Sequence, residues 1–413
     1  TVLFSGKKSK KLILLGLTGI ILLGAFLYSN ILNAPFVFDD HSSIKENDLV
    51  RSIAESSKNI ASNRYLVLLS FAVNYAAGGL KPFGYHIINN LIHIINALLV
   101  YYLVVLTFRT PYFSSQQSAI HQFTDSPIHQ MTIHPFTHSP LFIAFSVAFI
   151  FVAHPIQTQA VTYIAQRATS MAAMFYLLSL VMFIKFRLQV SDNREQEKIL
   201  TMKSIIWYLG SIIFAIFAMK TKEIAFTLPF VIALYEFSFF NKTPNSLLGE
   251  SPKETERRTP NLRRFFCLLP ILLTLLIIPL STLNFKSPVE TITQDIDISS
   301  RETVNITRMD YLLIQFRIIV TYLRLLIMPV NQSLDYSYPV YHSFFDLQVF
   351  LSFLFLLSIL GTSVYLMQKS RIKINQPSLP FSKGGQGGFS TDSPIHRFTS
   401  LRLIAFGIFW FFI

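Results

Sequence analysis

The chain has 413 residues, of which 52% are hydrophobic and only 14% carry a charge. Soluble globular proteins carry about 25% charged residues, so the composition excludes a soluble enzyme built around one large core. The formal net charge is +13, but the lysines and arginines stand between hydrophobic runs, which is typical of topology signals rather than of a nucleic-acid-binding surface. The one cysteine, Cys267, excludes an intrachain disulfide and a cysteine metal site.

The hydrophobic runs predict an all-α protein that crosses the membrane several times, since a crossing helix needs about 20 apolar residues. The predicted spans are 12–29, 85–108, 141–153, 168–187, 204–219, 223–240, 265–284, 346–367 and 401–413. We expect the first to be an uncleaved span, because no small-residue cleavage site follows it; a signal peptide is the alternative. The chain stops within the last run, so we expect a fragment that lacks its C-terminal part.

The basic residues predict the orientation of these spans. The four lysines within 7–11 place the start of the chain inside, and the basic loops 188–203, 241–264 and 368–400 then also fall inside. All of these loops fall on the inner side only if 311–329 does not cross the membrane. That segment carries two arginines seven residues apart on one helical face, which is costly in mid-bilayer, so we predict an interfacial helix on the outer side.

A crossing helix whose arginines face a cavity is the alternative for 311–329. The outer regions are then 30–84 and 285–345, and within the first of them 64–79 predicts a second interfacial helix. Two further segments, 109–140 and 375–400, share the hexamer TDSPIH. We interpret both as inserted low-complexity inner loops, and the histidines of the first as too loosely spaced for a metal site.

Two adjacent carboxylates, Asp39 and Asp40, follow the first span on its predicted outer side. Charges beside lipid headgroups are costly unless they bind or react with something, and a carboxylate can accept a proton from a hydroxyl nucleophile. A solvated loop pair or a helix cap is the alternative that these residues leave open.

The predicted topology brings further ionisable residues to the same side of the membrane. Arginine and lysine there can hold a phosphate. Snorkelling explains each residue taken singly, whereas their common placement indicates a site. The residues are His154, Arg167, Lys220, Lys222, Glu223, Arg317 and Arg324. The histidines and asparagines of 85–108 predict hydrogen bonds between helices.

Five segments occur in an order that resembles a known family. They are NAPFVFDDHSSIKEN, PFGYHIINNLIHIINALLVYYL, HPIQTQAVTYIAQRATSMAAMFYLLSL, KTKEIAFTLPFVIALYE and YLRLLIMPVNQSLDYSYPV. Together they resemble the membrane region of the transmembrane-and-tetratricopeptide-repeat proteins, which are related to the protein O-mannosyltransferases. The resemblance covers nearly the whole chain except the two inserted loops. It implies a helical bundle with the C-type glycosyltransferase fold, which in this family usually continues into tetratricopeptide repeats.

The resemblance also implies an activity, namely transfer of a sugar, typically mannose, from a polyprenyl-phosphate carrier to a Ser or Thr hydroxyl of a protein on the outer side. The family's first-loop acidic motif falls on Asp39 and Asp40, one of which would be the catalytic base. The His-Pro and Lys-Glu motifs fall on His154-Pro155 and Lys222-Glu223, and the arginine before Leu-Leu-x-x-Pro falls on Arg324.

From charge and location we assign the carrier phosphate to Arg324 and Arg317, with Lys222 as a further candidate. The expected partners are the lipid-linked sugar, an acceptor protein or peptide and the bilayer. An acidic pair can also hold a divalent metal, although the related mannosyltransferases are generally taken to work without one. The repeated hexamer favours a bacterial inner-membrane protein, and the endoplasmic reticulum membrane is the alternative.

Two functions of other classes stay open at this point. One is a transporter or flippase that uses the acidic pair and the arginines as a substrate gate. The other is a membrane anchor for a repeat domain. A transporter predicts ionisable residues near mid-span and an internal repeat, whereas the charges here cluster at the ends of the spans.

Overall fold

A computed structural model describes residues 7–60, 62–114, 140–194, 201–240, 265–282, 306–334, 336–370 and 394–413. These parts are helical and contain no β-strand, which confirms the predicted all-α class. The helices are α1 Lys7–Leu27, α2 Ile53–Lys58, α3 Tyr65–Gly78, α4 Pro82–Thr107, α5 Pro140–Ala153, α6 Thr158–Thr162, α7 Arg167–Arg194, α8 Met202–Met219, α9 Leu228–Phe239, α10 Phe265–Ser281, α11 Arg308–Ile327, α12 Leu347–Lys369 and α13 Pro394–Phe412.

Five helical segments of the described chain are long and apolar enough to cross a membrane, which confirms the polytopic class. They are Lys10–Ile31, Pro82–Thr107, Ile164–Ser191, Met202–Met219 and Leu347–Lys369. The bent pair formed by Pro140–Ala153 and Pro155–Thr162, whose two parts meet at 49°, adds a sixth if both parts belong to one span.

Two of the predicted spans have a different local structure. The stretch 141–153 ends at Ala153 and bends, because Pro155 lacks an N–H and excludes the α conformation from the residue before it. The stretch 223–240 is a 3-10 turn, Glu223–Thr227, followed by α9. With 12 residues, α9 is about 18 Å long and does not by itself match a hydrocarbon core of about 30 Å.

Other predicted segments have helices whose relation to the membrane stays a prediction. The apolar parts Phe265–Ser281 and Leu401–Phe412 are shorter than a full span. The predicted interfacial segments 64–79 and 311–329 are helical as α3 and α11. Most of the predicted inserted loops 109–140 and 375–400 lies outside the described residues.

Helix α4 is at the centre of the bundle and packs against α1, α5 and α7. Close approach of α1 depends on glycine: a Cβ built on Gly24 would lie 2.7 Å from Ile94 Cγ1 of α4. Small residues are typical of packed membrane helices for this reason. The most extensive contact between two helices of the described chain is that of α7 with α8. The hydrophobic core at this contact also includes residues of α9 and α10.

One face of α4 is polar, as the sequence predicts, and it makes hydrogen bonds to other elements. His93 Nε2 donates to Val152 O over 3.2 Å, and Asn96 Nδ2 donates to Ser170 O over 2.9 Å. His86 Nε2 donates to Ala34 O over 3.1 Å. Because His86 and its partner lie 52 residues apart, this last bond docks the segment after α1 onto the start of α4.

Candidate functional site

The acidic pair lies in a tight turn at residues 37–40. Asp40 N donates to Val37 O over 3.0 Å and so closes the turn. Phe38, at its second position, has a φ of 48°, a conformation for which such turns ordinarily use glycine. A π-helix, His41–Lys45, follows directly. The local backbone is therefore irregular at the predicted catalytic position, and other contacts must hold it in place.

Asp40 provides two of those contacts. Its side chain is 1% exposed, and its two carboxylate oxygens accept hydrogen bonds from Val37 N over 3.0 Å and from Ala165 N over 2.7 Å. Burial raises the pKa of the Asp40 carboxyl, and the two backbone N–H groups act against that rise. Both oxygens are occupied in the interior, so Asp40 ties the turn to the segment before α7.

Asp39 points the other way and is exposed. Its backbone N–H donates to the hydroxyl of Tyr163 over 2.9 Å. Burial and the Asp39 carboxylate together raise the pKa of Tyr163 to about 12, so this phenol stays a proton donor at neutral pH. The structure thus separates the predicted pair into a buried anchor and an accessible carboxylate.

Tyr163 is a site residue that sequence reasoning missed. It lies 124 residues from Asp39 along the chain, within a stretch of mixed polar and apolar residues where a tyrosine has no distinctive spacing. Only the packing of this stretch against the acidic turn brings the two residues together.

Arg167 differs most from its predicted placement in an outer polar cluster, because its side chain is fully buried. Its guanidinium donates to Asn89 Oδ1 over 2.8 Å, to Asn74 Oδ1 over 2.5 Å and to Tyr85 O over 3.0 Å. It also lies 4.6 Å from the ring centre of Phe71. Arg167 therefore joins α3, α4 and α7, with its donors directed at protein oxygens rather than at an open face.

His154 links the broken helix to the end of α11. Its Nδ1 accepts from Ile156 N over 3.2 Å, while Nε2 donates to Leu326 O over 3.0 Å. The neutral ring with its proton on Nε2 satisfies both bonds. A few residues later, Gln159 Nε2 donates to Leu334 O over 3.2 Å. The predicted His-Pro motif is thus a connector between α5 and the segment around α11.

The predicted pair Arg317 and Arg324 lines a cleft on α11 with a volume of about 350 Å³. Its other walls are Val320, Thr321, Tyr336, Ser337 and Tyr338. The Nε atom of Arg317 is buried and has no hydrogen-bond partner in the described chain. A buried guanidinium donor without a partner is unusual. The charge of the two lining arginines makes the cleft suited to an anionic ligand.

Lys222 and Glu223 belong to a different group of contacts. Lys222 Nζ donates to Thr169 Oγ1 over 2.7 Å, and Glu223 Oε1 lies 3.9 Å from Arg64 Nε in an exposed ion pair. Neither residue is among those that line the arginine cleft. The structure therefore brings Arg317 and Arg324 together and places Lys222 with the start of α7 instead.

Residues 154–166 connect these parts. This segment holds the acidic turn through Tyr163 and Ala165, and it contacts the α11 side through His154 and Gln159. Within the described residues, no group of three or more His, Cys, Asp and Glu side chains could hold a metal ion. The fold and site define a multi-pass helical membrane protein in which one segment links an exposed carboxylate to an arginine-lined cleft.

Known proteins with a related sequence agree with the resemblance stated above. The chain is 29% identical to the human protein O-mannosyl-transferase TMTC2 over 235 residues, which make up 53% of this chain and 24% of the relative. It is 26% identical to human TMTC4 over 226 residues, 51% of this chain and 27% of the relative. It is 39% identical to Tmtc1 of Drosophila melanogaster over 103 residues, 21% of this chain and 12% of the relative.

The resemblance to the transmembrane-and-tetratricopeptide-repeat proteins is therefore confirmed as a relationship over about half of the chain. The chain spans about a quarter or less of the length of these relatives. No family model matches it, and no solved structure matches it.

Proposed function

We propose that this chain is the membrane part of a glycosyltransferase that moves a sugar from a polyprenyl-phosphate carrier to a Ser or Thr hydroxyl of a protein. The relatives are named protein O-mannosyl-transferases, so mannose is the first sugar to test. The observation that carries the proposal is the link between an accessible Asp39 and the arginine cleft through residues 154–166. Acceptor and carrier meet on the outer side in this proposal.

Asp39 is the base in this scheme because it is the accessible member of the pair. A general base must come within hydrogen-bonding distance of the proton it removes. The buried Asp40 carboxylate already accepts two backbone N–H bonds, so a hydroxyl acceptor would have to break the turn to reach it. The Tyr163 hydroxyl leaves Asp39 exposed while fixing its position.

The arginine cleft is the proposed site of the carrier phosphate. Arg317 and Arg324 supply charge and several N–H donors to phosphate oxygens. Lys222 stays a further candidate of lower weight, since its ammonium donates to Thr169.

The reaction then proceeds in one displacement. The acceptor oxygen attacks the anomeric carbon, and its proton passes to the Asp39 carboxylate. The bond between the anomeric carbon and the phosphate oxygen breaks, and its electrons leave with the carrier phosphate. The two arginines stabilise the charge that develops on this leaving group. A single attack on the face opposite the phosphate inverts the anomeric centre.

The proposal is tested with purified full-length protein in liposomes, polyprenyl-phosphate mannose and a Ser/Thr peptide. We expect Asp39→Asn to lower the transfer rate by about a hundredfold or more, since general bases contribute roughly 10²–10⁴-fold. Asp48→Asn changes an exposed carboxylate of the same region and should transfer normally. Asp40→Asn should lower the melting temperature together with the rate.

The cleft is tested in the same assay. Arg324→Gln should weaken binding of the lipid-linked sugar, whereas Arg308→Gln at the exposed start of the same helix should not. Normal transfer by the Asp39→Asn protein would overturn the base assignment. Equal donor binding by the Arg324→Gln and wild-type proteins would overturn the phosphate site.

A further inference from the structure

Phe38 is in an unusual conformation for a bulky residue. Among the described non-glycine residues, only Phe38 and Asn331 have a positive φ, and asparagine tolerates that region far better than phenylalanine does. The second position of a turn of this kind is where glycine is favoured. Strain of this sort persists only when neighbouring contacts hold the backbone, and it concentrates at sites where ligands bind.

The contacts that hold this backbone flank Phe38 on both sides. The Asp40 carboxylate accepts from Val37 N, and the Tyr163 hydroxyl accepts from Asp39 N. These anchors come from the residues that position the proposed base. They hold the backbone of Phe38 and Asp39 in place, and the side chains of both residues are exposed.

The Phe38 side chain does not join the hydrophobic core. Phe36, two residues earlier, is buried and packs edge-on against Tyr85 with ring centres 5.4 Å apart. Phe38 is 69% exposed. The segment therefore already has one aromatic anchor in the core, and the second ring serves no packing role that would offset its strained backbone.

We propose that Phe38 is a contact residue for the pyranose ring of the lipid-linked sugar donor, an inference that rests on the proposed function. The face of an aromatic ring is electron-rich and attracts the polarised C–H groups that line one face of a pyranose. The base next to Phe38 must reach a hydroxyl that attacks the anomeric carbon, so the sugar ring comes within one residue of Asp39. A Ser or Thr side chain is too small to cover the Phe38 ring.

Contact of Phe38 with lipid is the competing explanation, because exposed apolar residues also occur on α1. Phe26 of that helix is 75% exposed and has an ordinary helical backbone. A lipid contact needs an apolar side chain but neither an aromatic ring nor a positive φ. Leucine at position 38 therefore separates the two explanations, because it keeps the apolar character and removes the ring.

The experiment compares binding of polyprenyl-phosphate mannose with binding of bare polyprenyl phosphate to the full chain in nanodiscs. We expect Phe38→Leu and Phe38→Gly to lower the affinity for polyprenyl-phosphate mannose by about tenfold, which corresponds to the loss of one good aromatic contact. Binding of the bare carrier should not change. Phe38→Trp should bind both ligands as the wild type does, and so should the control Phe26→Leu.

Melting temperatures provide a second readout. Phe38→Gly relieves the backbone strain, so we expect this variant to melt at or above the wild-type temperature while it binds the sugar donor less tightly. A Phe38→Leu protein that binds the sugar donor as tightly as the wild type would overturn the proposal. Equal weakening of the binding of both ligands by Phe38→Gly would overturn it as well and would assign Phe38 to a contact with the polyprenyl chain.

These outcomes are distinct from failure of the proposed function. A wild-type protein that prefers the sugar-bearing donor over the bare carrier but transfers no sugar would refute the glycosyltransferase. The role of Phe38 would then still be decided by the binding comparison.

Discussion

The bond between Tyr163 and Asp39 gives the sharpest prediction about how the site is held. In Tyr163→Phe the ring stays and only the hydroxyl is lost, so the Asp39 N–H loses its acceptor. A hydrogen bond between neutral groups contributes about 0.5–1.5 kcal/mol. If that amount is expressed in the transition state, kcat falls by roughly 2- to 10-fold.

The assay separates kcat from KM. A residue that orients the base without touching the substrate should lower kcat and leave the KM for the lipid-linked sugar near the wild-type value. The melting temperature should fall by only a few degrees, as expected for loss of about 1 kcal/mol.

Tyr85→Phe is the matched control. The Tyr85 hydroxyl donates to Gly79 O over 3.1 Å, in the same region but on a carbonyl that has no part in the proposed chemistry. We expect this variant to lose some stability and to keep its kcat and its KM for the lipid-linked sugar. If Tyr163→Phe and Tyr85→Phe behave alike in all three measurements, Tyr163 is not a positioning residue.

The remaining predictions concern stability and pH. Replacement of the buried Arg167 by Met should lower the melting temperature by several degrees, since it takes the donor from the buried Asn89 Oδ1 and from Asn74 Oδ1 at about 1–3 kcal/mol each, and Arg167→Lys should not restore it because one ammonium cannot reproduce the planar fork that reaches acceptors on both α3 and α4. Gly24→Val should cost about 1–3 kcal/mol by overpacking and be visible in thermal melts, whereas the control Gly361→Ala, which has open space around its Cβ, should be neutral or stabilising. The side chain of Thr307, the N-cap residue of α11, hydrogen-bonds Asp310 and, together with the nearby His342, lowers the pKa of Asp310 from its ordinary value of 3.8. The contribution of Asp310 to stability is therefore complete above pH 3.8 and is lost as the pH falls through the lowered pKa. Hydrogen exchange of the first turn of α11 should accelerate as the pH falls through this range, and Asp310→Asn should remove this pH dependence.

Composition and periodicity by themselves determined the class of this protein. Long apolar runs with few charges admit little besides membrane-crossing helices, because every backbone N–H and C=O in lipid needs an internal partner. The polar face of α4 was also predictable, since buried histidines and asparagines in a membrane helix must bond to neighbouring helices. Both conclusions follow from the residue types within a single helical segment, which can be read from the sequence without knowing the bonding partners.

Only the tertiary structure shows which residues of the candidate site are exposed and which are buried supports. In sequence Asp39 and Asp40 are equivalent neighbours, but a turn points consecutive side chains in different directions, so one is exposed and the other buried. Arg167 looks like an outer-face cation until Asn74 and Asn89 from other helices surround it. Tyr163 acquires its role only through a contact that spans 124 residues. Contacts between residues that are far apart in the sequence depend on how the helices pack, so they cannot be predicted from a local sequence pattern.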